Sequence, residues 1–268
     1  MAKRPSVSES VIWITGASSG IGEALAYAFS KRGARLILSA RREDELERVK
    51  EACPGNQDHI RILPLDLTQT SMLQGKASQA ISLFGHVDML INNGGMSQRA
   101  TAMEASMDVI RQIMEVNFFG TIALTKAILP HFTKRKSGYV VVVSSVMGKF
   151  GTKFRSTYAA SKHALQGWFD CLRQEMYDYN VDVTLVCPGY VKTPITVNAL
   201  TADGKRFGKM GTGQQTAMSA DAFAEKLIPK LQKRQPEIYI GGKEVYAVYL
   251  KRFFPSVLNR MLRKMKVT

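Results

Sequence analysis

Short apolar runs without polar alternation recur along the chain, separated by stretches of helical period. They fall at residues 11–15, 35–40, 59–67, 87–91, 138–145 and 181–187, with a seventh, edge run at 237–240. A strand that is apolar on both faces belongs in a parallel sheet covered on both sides. The intervening segments supply the cover. Ala24, Leu25, Ala28 and Phe29 mark one face of a helix ending near Gly33, and residues 69–85, 103–132 and 219–234 also read as helices. The pattern predicts an α/β fold: a doubly wound, seven-stranded parallel sheet with helices on both faces. Residues 1–242 form this single domain, and residues 243–268 an amphipathic extension.

Two stretches depart from the alternation. Residues 195–218 are rich in Gly and Thr and only weakly periodic, longer than a plain connection needs. We read the region from about 191 to 218 as a substrate lid, with a disordered insertion as the alternative. From Lys243 onward, Tyr246, Tyr249, Leu250, Phe253, Phe254, Val257, Leu258, Met261, Leu262 and Met265 recur at helical spacing. Lys251, Arg252, Arg260, Arg263, Lys264 and Lys266 lie between them, and Pro255 starts or kinks a helix. Such a basic amphipathic helix suits a membrane surface. Packing on its own domain or on a second subunit is the alternative.

The strand tips carry candidate chemistry. After the first strand comes TGASSGIG, with Gly16, Ser18, Ser19, Gly20, Ile21 and Gly22, and then a helix. Strand, glycine turn and helix N-terminus make a phosphate cradle of the dinucleotide-binding kind. The second strand ends at Arg41 and Arg42, with Ser39 and Ala40 where a carboxylate would bind a ribose 2′-hydroxyl; this favours NADP(H) over NAD(H). Arg42 could instead pair with the acids that follow it. Asp66, followed by Leu67, either reaches the adenine or caps the next helix. Asn92, Asn93, Gly94 and Gly95 form a turn signal. Asn117 interrupts a helical stretch that it disfavours. Ser145 ends the most strand-like run, where open α/β folds bind ligands. Tyr158 and Lys162 stand one helical turn apart; a lysine cation near a phenol lowers its pKa, which suits a general acid.

Composition narrows the classes. The 268 residues include only Cys53, Cys171 and Cys187, in no metal or disulfide spacing, and four scattered histidines. A reducing cytoplasm and no metal are expected. No secretory signal or run of 18 apolar residues occurs, so neither export nor a membrane span is expected. The net charge of +15 is spread widely or gathered at the tail, without a nucleic-acid motif. No nucleic-acid partner is expected, and peripheral membrane contact would come through the C-terminal helix.

Together TGASSGIG, NNGG at Asn92, Asn117, Ser144–Ser145, YAASK at Tyr158 and PGYVKT at Pro188 resemble the short-chain dehydrogenase/reductase family, in its Tyr-x-x-x-Lys group. The resemblance covers the chain to about residue 240. It implies a Rossmann-type fold and an oxidoreductase moving a hydride between NADP(H) and a carbonyl or secondary alcohol. Ser145, Tyr158, Lys162 and Asn117 would be catalytic: Tyr158 the acid/base, Lys162 its partner and the ribose ligand, Ser145 the substrate-oxygen donor, and Asn117 the residue opening its helix to a water. Asn93, Gly94, Pro188, Gly189, Val191 and Thr193 would join the cofactor site. Met96, Met147, Phe150, Phe154 and Tyr190 are pocket candidates suited to a lipophilic ketone, whether steroid-, retinoid- or lipid-like. Gly94 stands where the family has alanine. The stretches 154–170 and 197–205 look closest to the animal dehydrogenase/reductase "member 7" group. Those relatives carry an N-terminal anchor, and this chain starts almost at the first strand, so an anchor-free homologue is expected. A homodimer or homotetramer is expected; the alternative to catalysis is a regulatory NADP-binding protein on the same fold.

Overall fold

A computed structural model describes residues 6–211, 213 and 217–265. The predicted lid positions 212 and 214–216, and Lys266 of the predicted tail, lie outside the described residues. In chain order the helices and strands are β1 (Val11–Thr15), α1 (Gly20–Ser30), β2 (Arg35–Ser39), α2 (Glu43–Ala52), β3 (Ile60–Ile62), α3 (Leu73–Phe84) and β4 (Met89–Asn92). Then follow α4 (Met107–Met114), α5 (Gly120–Arg135), β5 (Gly138–Val143), α6 (Ser156–Glu175), β6 (Val181–Pro188), β7 (Val191–Lys192) and β8 (Met218–Ser219). The chain closes with α7 (Ala220–Gln232), β9 (Glu237–Ile240), α8 (Tyr246–Phe253) and α9 (Pro255–Lys264). The main sheet has seven strands in the order β3-β2-β1-β4-β5-β6-β9, with every neighbouring pair parallel. The order reverses between β1 and β4, which opens a crevice beyond their carboxyl ends.

The unbroken apolar runs have a direct cause. Successive side chains point to opposite faces of the sheet, and both faces are covered. Ile12 and Ile14 join Leu36 and Leu38 under α1, α2 and α7, with Phe29, Leu46 and Phe223. Val11, Trp13 and Ile37 join Leu90 and Val140 under α3, α5 and α6, with Leu124, Phe132 and Phe169. Trp13 is fully buried, and its indole donates to Ser39 Oγ at 2.8 Å.

Two elements differ from the pattern. β3 ends at Ile62, although the Leu63 and Leu65 amides still donate to Leu38 O and Ala40 O. Pro64 between them has no N–H to offer. The helix predicted from residue 103 begins at Met107, capped by Ser106, whose hydroxyl accepts from Val109 N. It then passes through a π turn at Glu115–Phe119 and continues past Pro130. By length and composition the run Met107–Arg135 could cross a membrane. Its buried face, including Ile113, Leu124 and Phe132, packs within the domain.

Residues 194–208, after β7, are folded rather than loose. Leu200 bridges both Gln98 and Arg206, and Phe207 N donates to Ala199 O. Leu200 N donates to Ser97 O and Arg99 N to Leu200 O, so this hairpin sits on the loop after β4. Pro255 opens α9 at its first turn, as predicted. The inner faces of α8 and α9 cover Val146 and Phe150 through Ala247, Val248, Leu250, Leu258 and Leu262.

Candidate active site

The crevice at the sheet's reversal is built from the glycine turn upward. Gly16 and Gly20 have φ of +63° and +60°, which side chains resist. A Cβ on Gly16 would lie 2.8 Å from Gly94 Cα, and one on Gly22 would overlap Gly16 O. A Cβ on Gly20 would meet Thr193 at 3.1 Å, so the turn after β6 closes over the glycine turn. The Thr15 hydroxyl accepts from Asn93 N and Gly94 N, both at 3.0 Å, and Asn93 Nδ2 donates to Thr15 O and Gly16 O. The two strand tips are thus tied into one cradle, closely approachable at backbone level and set at the N-terminus of α1. Those features fit a dinucleotide pyrophosphate.

Arg41 and Arg42 are both exposed at the end of β2. Arg42 lies 3.9 Å from Glu45, a loose contact, and Arg41 has no partner among the described residues. The Ser39 hydroxyl is spent internally, donating to Leu63 O. Asp66 accepts from Thr68 N and Oγ1 through Oδ1. It therefore closes a turn and does not cap α3, which removes that alternative. Leu67 is buried, and its Cδ1 occupies the space a Cβ at residue 94 would need, 2.8 Å away.

Ser145, Tyr158 and Lys162 converge beyond β5. The Ser144 hydroxyl is turned inward to Lys162 O, whereas the Ser145 hydroxyl interacts with Tyr158. Burial pushes the Tyr158 phenol above its usual value; Ser145 and the charge of Arg155 pull against it. Lys162 is 4% exposed, and its Nζ donates to Val143 O at 2.9 Å, 5.8 Å from the centre of the Tyr158 ring. Burial lowers its pKa to about 8. One cation whose charge counters Tyr158 burial is Arg155, a residue the helical spacing did not reveal.

Asn117 lies inside the π turn, fully buried. Its Oδ1 accepts from Met96 N at 2.8 Å, and its Nδ2 donates to Met96 O and Ser161 Oγ, both at 2.9 Å. Ser161 in turn donates to Tyr158 O. Asn117 therefore neither faces solvent nor bonds to its own helix; it joins the loop after β4 to the helix that bears Tyr158. π turns of this kind gather at functional sites.

The chain as a whole is similar to known proteins. A family model described as short chain dehydrogenase matches residues 10–203. The chain is 40% identical over 267 residues to "Dehydrogenase/reductase SDR family protein 7-like" of Drosophila melanogaster, covering 96% of this chain and 80% of that protein. The chain belongs to the short-chain dehydrogenase/reductase family. It is likewise 40% identical, over 269 residues, to the Homo sapiens "Dehydrogenase/reductase SDR family member 7", covering 96% of this chain and 79% of that one. A short-chain dehydrogenase structure from Streptomyces avermitilis superposes with a TM-score of 0.80 at 29% identity, covering 95% of this chain and 96% of its own. Family membership makes this an oxidoreductase with a nucleotide-binding Rossmann fold.

The remaining predicted residues of this dehydrogenase separate into two groups. Pro188 ends β6, Val191 is buried in β7, and Thr193 faces Gly20; all belong to the crevice rim. Met96 packs with Val109, Ile113 and Leu200 beneath the hairpin. Phe154 adopts a φ of +65° and stacks under Arg99. Met147 lies two residues after Ser145, its amide donating to that hydroxyl, and Tyr190 is exposed at the rim. Phe150 is instead buried against Leu258, so its place is the core beneath the tail. Glu244 was missed: its Oε1 accepts from Tyr190 N at 2.8 Å and Gly242 N at 2.9 Å, fixing the turn after β6. Its signal was a single acid among the cations of the tail. A groove of about 570 Å³ lined by Thr70, Glu115, Phe119 and Lys126 contains none of the convergent residues.

Proposed function

We propose that the protein moves a hydride between NADP(H) and a carbonyl or secondary alcohol on a largely apolar body. The observation that carries this reading is the convergence of Ser145, Tyr158 and Lys162 at the mouth of the glycine cradle. When bound, the nicotinamide supplies or accepts the hydride. The protein supplies the rest. Ser145 donates to the substrate oxygen and stabilises charge developing there. Tyr158 gives its phenolic proton to that oxygen in reduction and takes it back in oxidation. Lys162 holds the nicotinamide ribose, and Asn117 keeps Met96 and the Tyr158 helix in register. Gly16, Ser18, Ser19, Gly20, Ile21, Gly22, Asn93, Gly94, Gly189 and Thr193 hold the pyrophosphate and nicotinamide end, and Asp66 and Leu67 the adenine end. Exposed Arg41 and Arg42, with no carboxylate at residues 39 or 40, suit a 2′-phosphate. One structural neighbour, from Burkholderia cenocepacia, was solved in complex with NADP and another, from Burkholderia phymatum, with NAD. Met96, Met147, Phe154 and Tyr190 offer the apolar wall, and residues 191–218 the lid.

The test is Tyr158→Phe. The variant should bind NADPH as wild type does, by nucleotide fluorescence, and lose NADPH consumption across a panel of ketones. Near-normal turnover would refute the assignment; unaltered wild-type preference between NADPH and NADH after Arg41→Ala and Arg42→Ala would refute the 2′-phosphate reading. A regulatory NADP-binding role would leave the wild type without turnover on any panel member.

A second reading concerns the tail and rests on its outer face. Tyr246 and Phe253 are each 68% exposed, with Tyr249, Phe254, Val257 and Met261 beside them. Between Lys243 and Met265 six cations face one acid, Glu244, whose carboxylate is used internally. We propose that this face rests on an anionic membrane surface. Serine at Phe253, Phe254 and Met261 should abolish co-sedimentation with phosphatidylserine vesicles; retained binding would sink the idea. The groove beside exposed Phe119 is our proposed contact for a homodimer, checked by light scattering of Phe119→Lys.

A further inference from the structure

The pocket candidates are apolar, yet a cation stands among them. Arg155 precedes α6, three residues before Tyr158. Its Nη1 donates to Ser97 Oγ and to Gln98 O, the latter at 2.8 Å. A guanidinium has five N–H donors in a rigid fork, and Nη1 carries two of them. Both are therefore spent on the loop after β4. The Nε and Nη2 edge has no protein partner among the described residues, and its atoms are not sealed from solvent. That edge is the one with the geometry for two parallel bonds to a carboxylate.

The surroundings sharpen the demand for an anion. No carboxylate of the described residues pairs with Arg155; the charges acting on it come from the Tyr158 and Tyr190 phenols and from a second guanidinium, Arg99. Arg99 is held over the rings of Phe154 and Phe207, at 5.2 and 5.3 Å. A second cation nearby in a partly desolvated pocket repels Arg155, and a bound anion offsets that repulsion. The same loop anchors the helix that bears Tyr158, since Gln98 Oε1 accepts from Thr157 N at 2.8 Å. Arg155 is thus fixed relative to the phenol and does not swing on a free stem.

We propose that the Nε and Nη2 edge of Arg155 binds a carboxylate on the substrate, so that the compound reduced or oxidised at Tyr158 is an oxo acid or hydroxy acid with an apolar body. This deepens the oxidoreductase reading and rests on it.

The test compares benzoylformate and levulinate with their methyl esters, using NADPH consumption by the full-length protein. Wild type should favour at least one acid over its ester by about tenfold or more in kcat/KM, the worth of one charge-assisted bidentate contact. In Arg155→Met that ratio should collapse towards one through KM, with Arg155→Lys intermediate. Equal use of acid and ester by wild type would overturn the proposal. So would a ratio unmoved by Arg155→Met, with both substrates weakened alike, because a clamp on Ser97 and Gln98 alone would do that. Direct titration of benzoylformate into the NADPH complex separates the two readings. Binding lost in Arg155→Met without turnover in wild type keeps the carboxylate site and refutes the reaction; absent binding refutes the site.

Discussion

Replacing Lys162 by methionine should make the nucleotide-free protein more stable while destroying its activity. The lysine is 4% exposed and its pKa falls from 10.5 to about 8 because burial disfavours the cation. At neutral pH the side chain is nonetheless mostly charged, so the fold carries the cost of burying it. A lysine with a depressed folded-state value contributes stability above 10.5 and loses it as pH falls through about 8. The loss amounts to about 3 kcal/mol at pH 7 and about 1.4 kcal/mol at pH 9.5. Methionine removes that cost and also the hydrogen bond to Val143 O, worth about 1 kcal/mol. The variant should therefore exceed wild type by about 2 kcal/mol at pH 7 and approach parity at pH 9.5. Urea unfolding at the two pH values measures the difference directly. A variant less stable than wild type at pH 7, or a difference that does not change with pH, would refute the reasoning.

Two other changes probe the packing around the site. Gly94→Ala should destabilise by about 1–3 kcal/mol because its Cβ meets Leu67 Cδ1 at 2.8 Å, and Leu67→Ala in the same chain should recover part of that, read as Tm. Leu258→Ala should cost about 2–4 kcal/mol and speed proteolysis of α9, since this 2% exposed side chain pins the tail to Val146 and Phe150; unchanged cleavage would argue against that anchor.

The parallel sheet was legible because its strands are apolar on both faces, and residues such as Val11 to Thr15 show why: alternate side chains enter two different cores. Gly16, Gly20 and Gly22 were legible because their spacing reflects backbone geometry that admits little else. Residues whose meaning comes from long-range contact were harder. Asn117 looked like a misplaced helix residue until Met96 and Ser161 came to it, 21 and 44 positions away. Arg155 read as one basic residue among 37: it lies three positions before Tyr158, but only the fold brings Ser97 to it, 58 positions away. The break of β3 at Pro64 was visible in principle, but the apolar run around it concealed the stop. Phe150 misled for the opposite reason: its nearness to Ser145 in sequence suggested the pocket, whereas the last helix covers it.

That last cover has a consequence for biosynthesis. Val146 and Phe150, within five residues after Ser145, are sheltered by Leu250, Leu258 and Leu262, and Glu244 holds the turn after β6. In chain order Glu244 and the three leucines come after every strand of the sheet. On a ribosome the sheet can form while the chain is still growing, but the floor behind Ser145 stays greasy and open until α9 has emerged. A stalled or prematurely released chain would expose that floor as a sticky patch for chaperones and proteases.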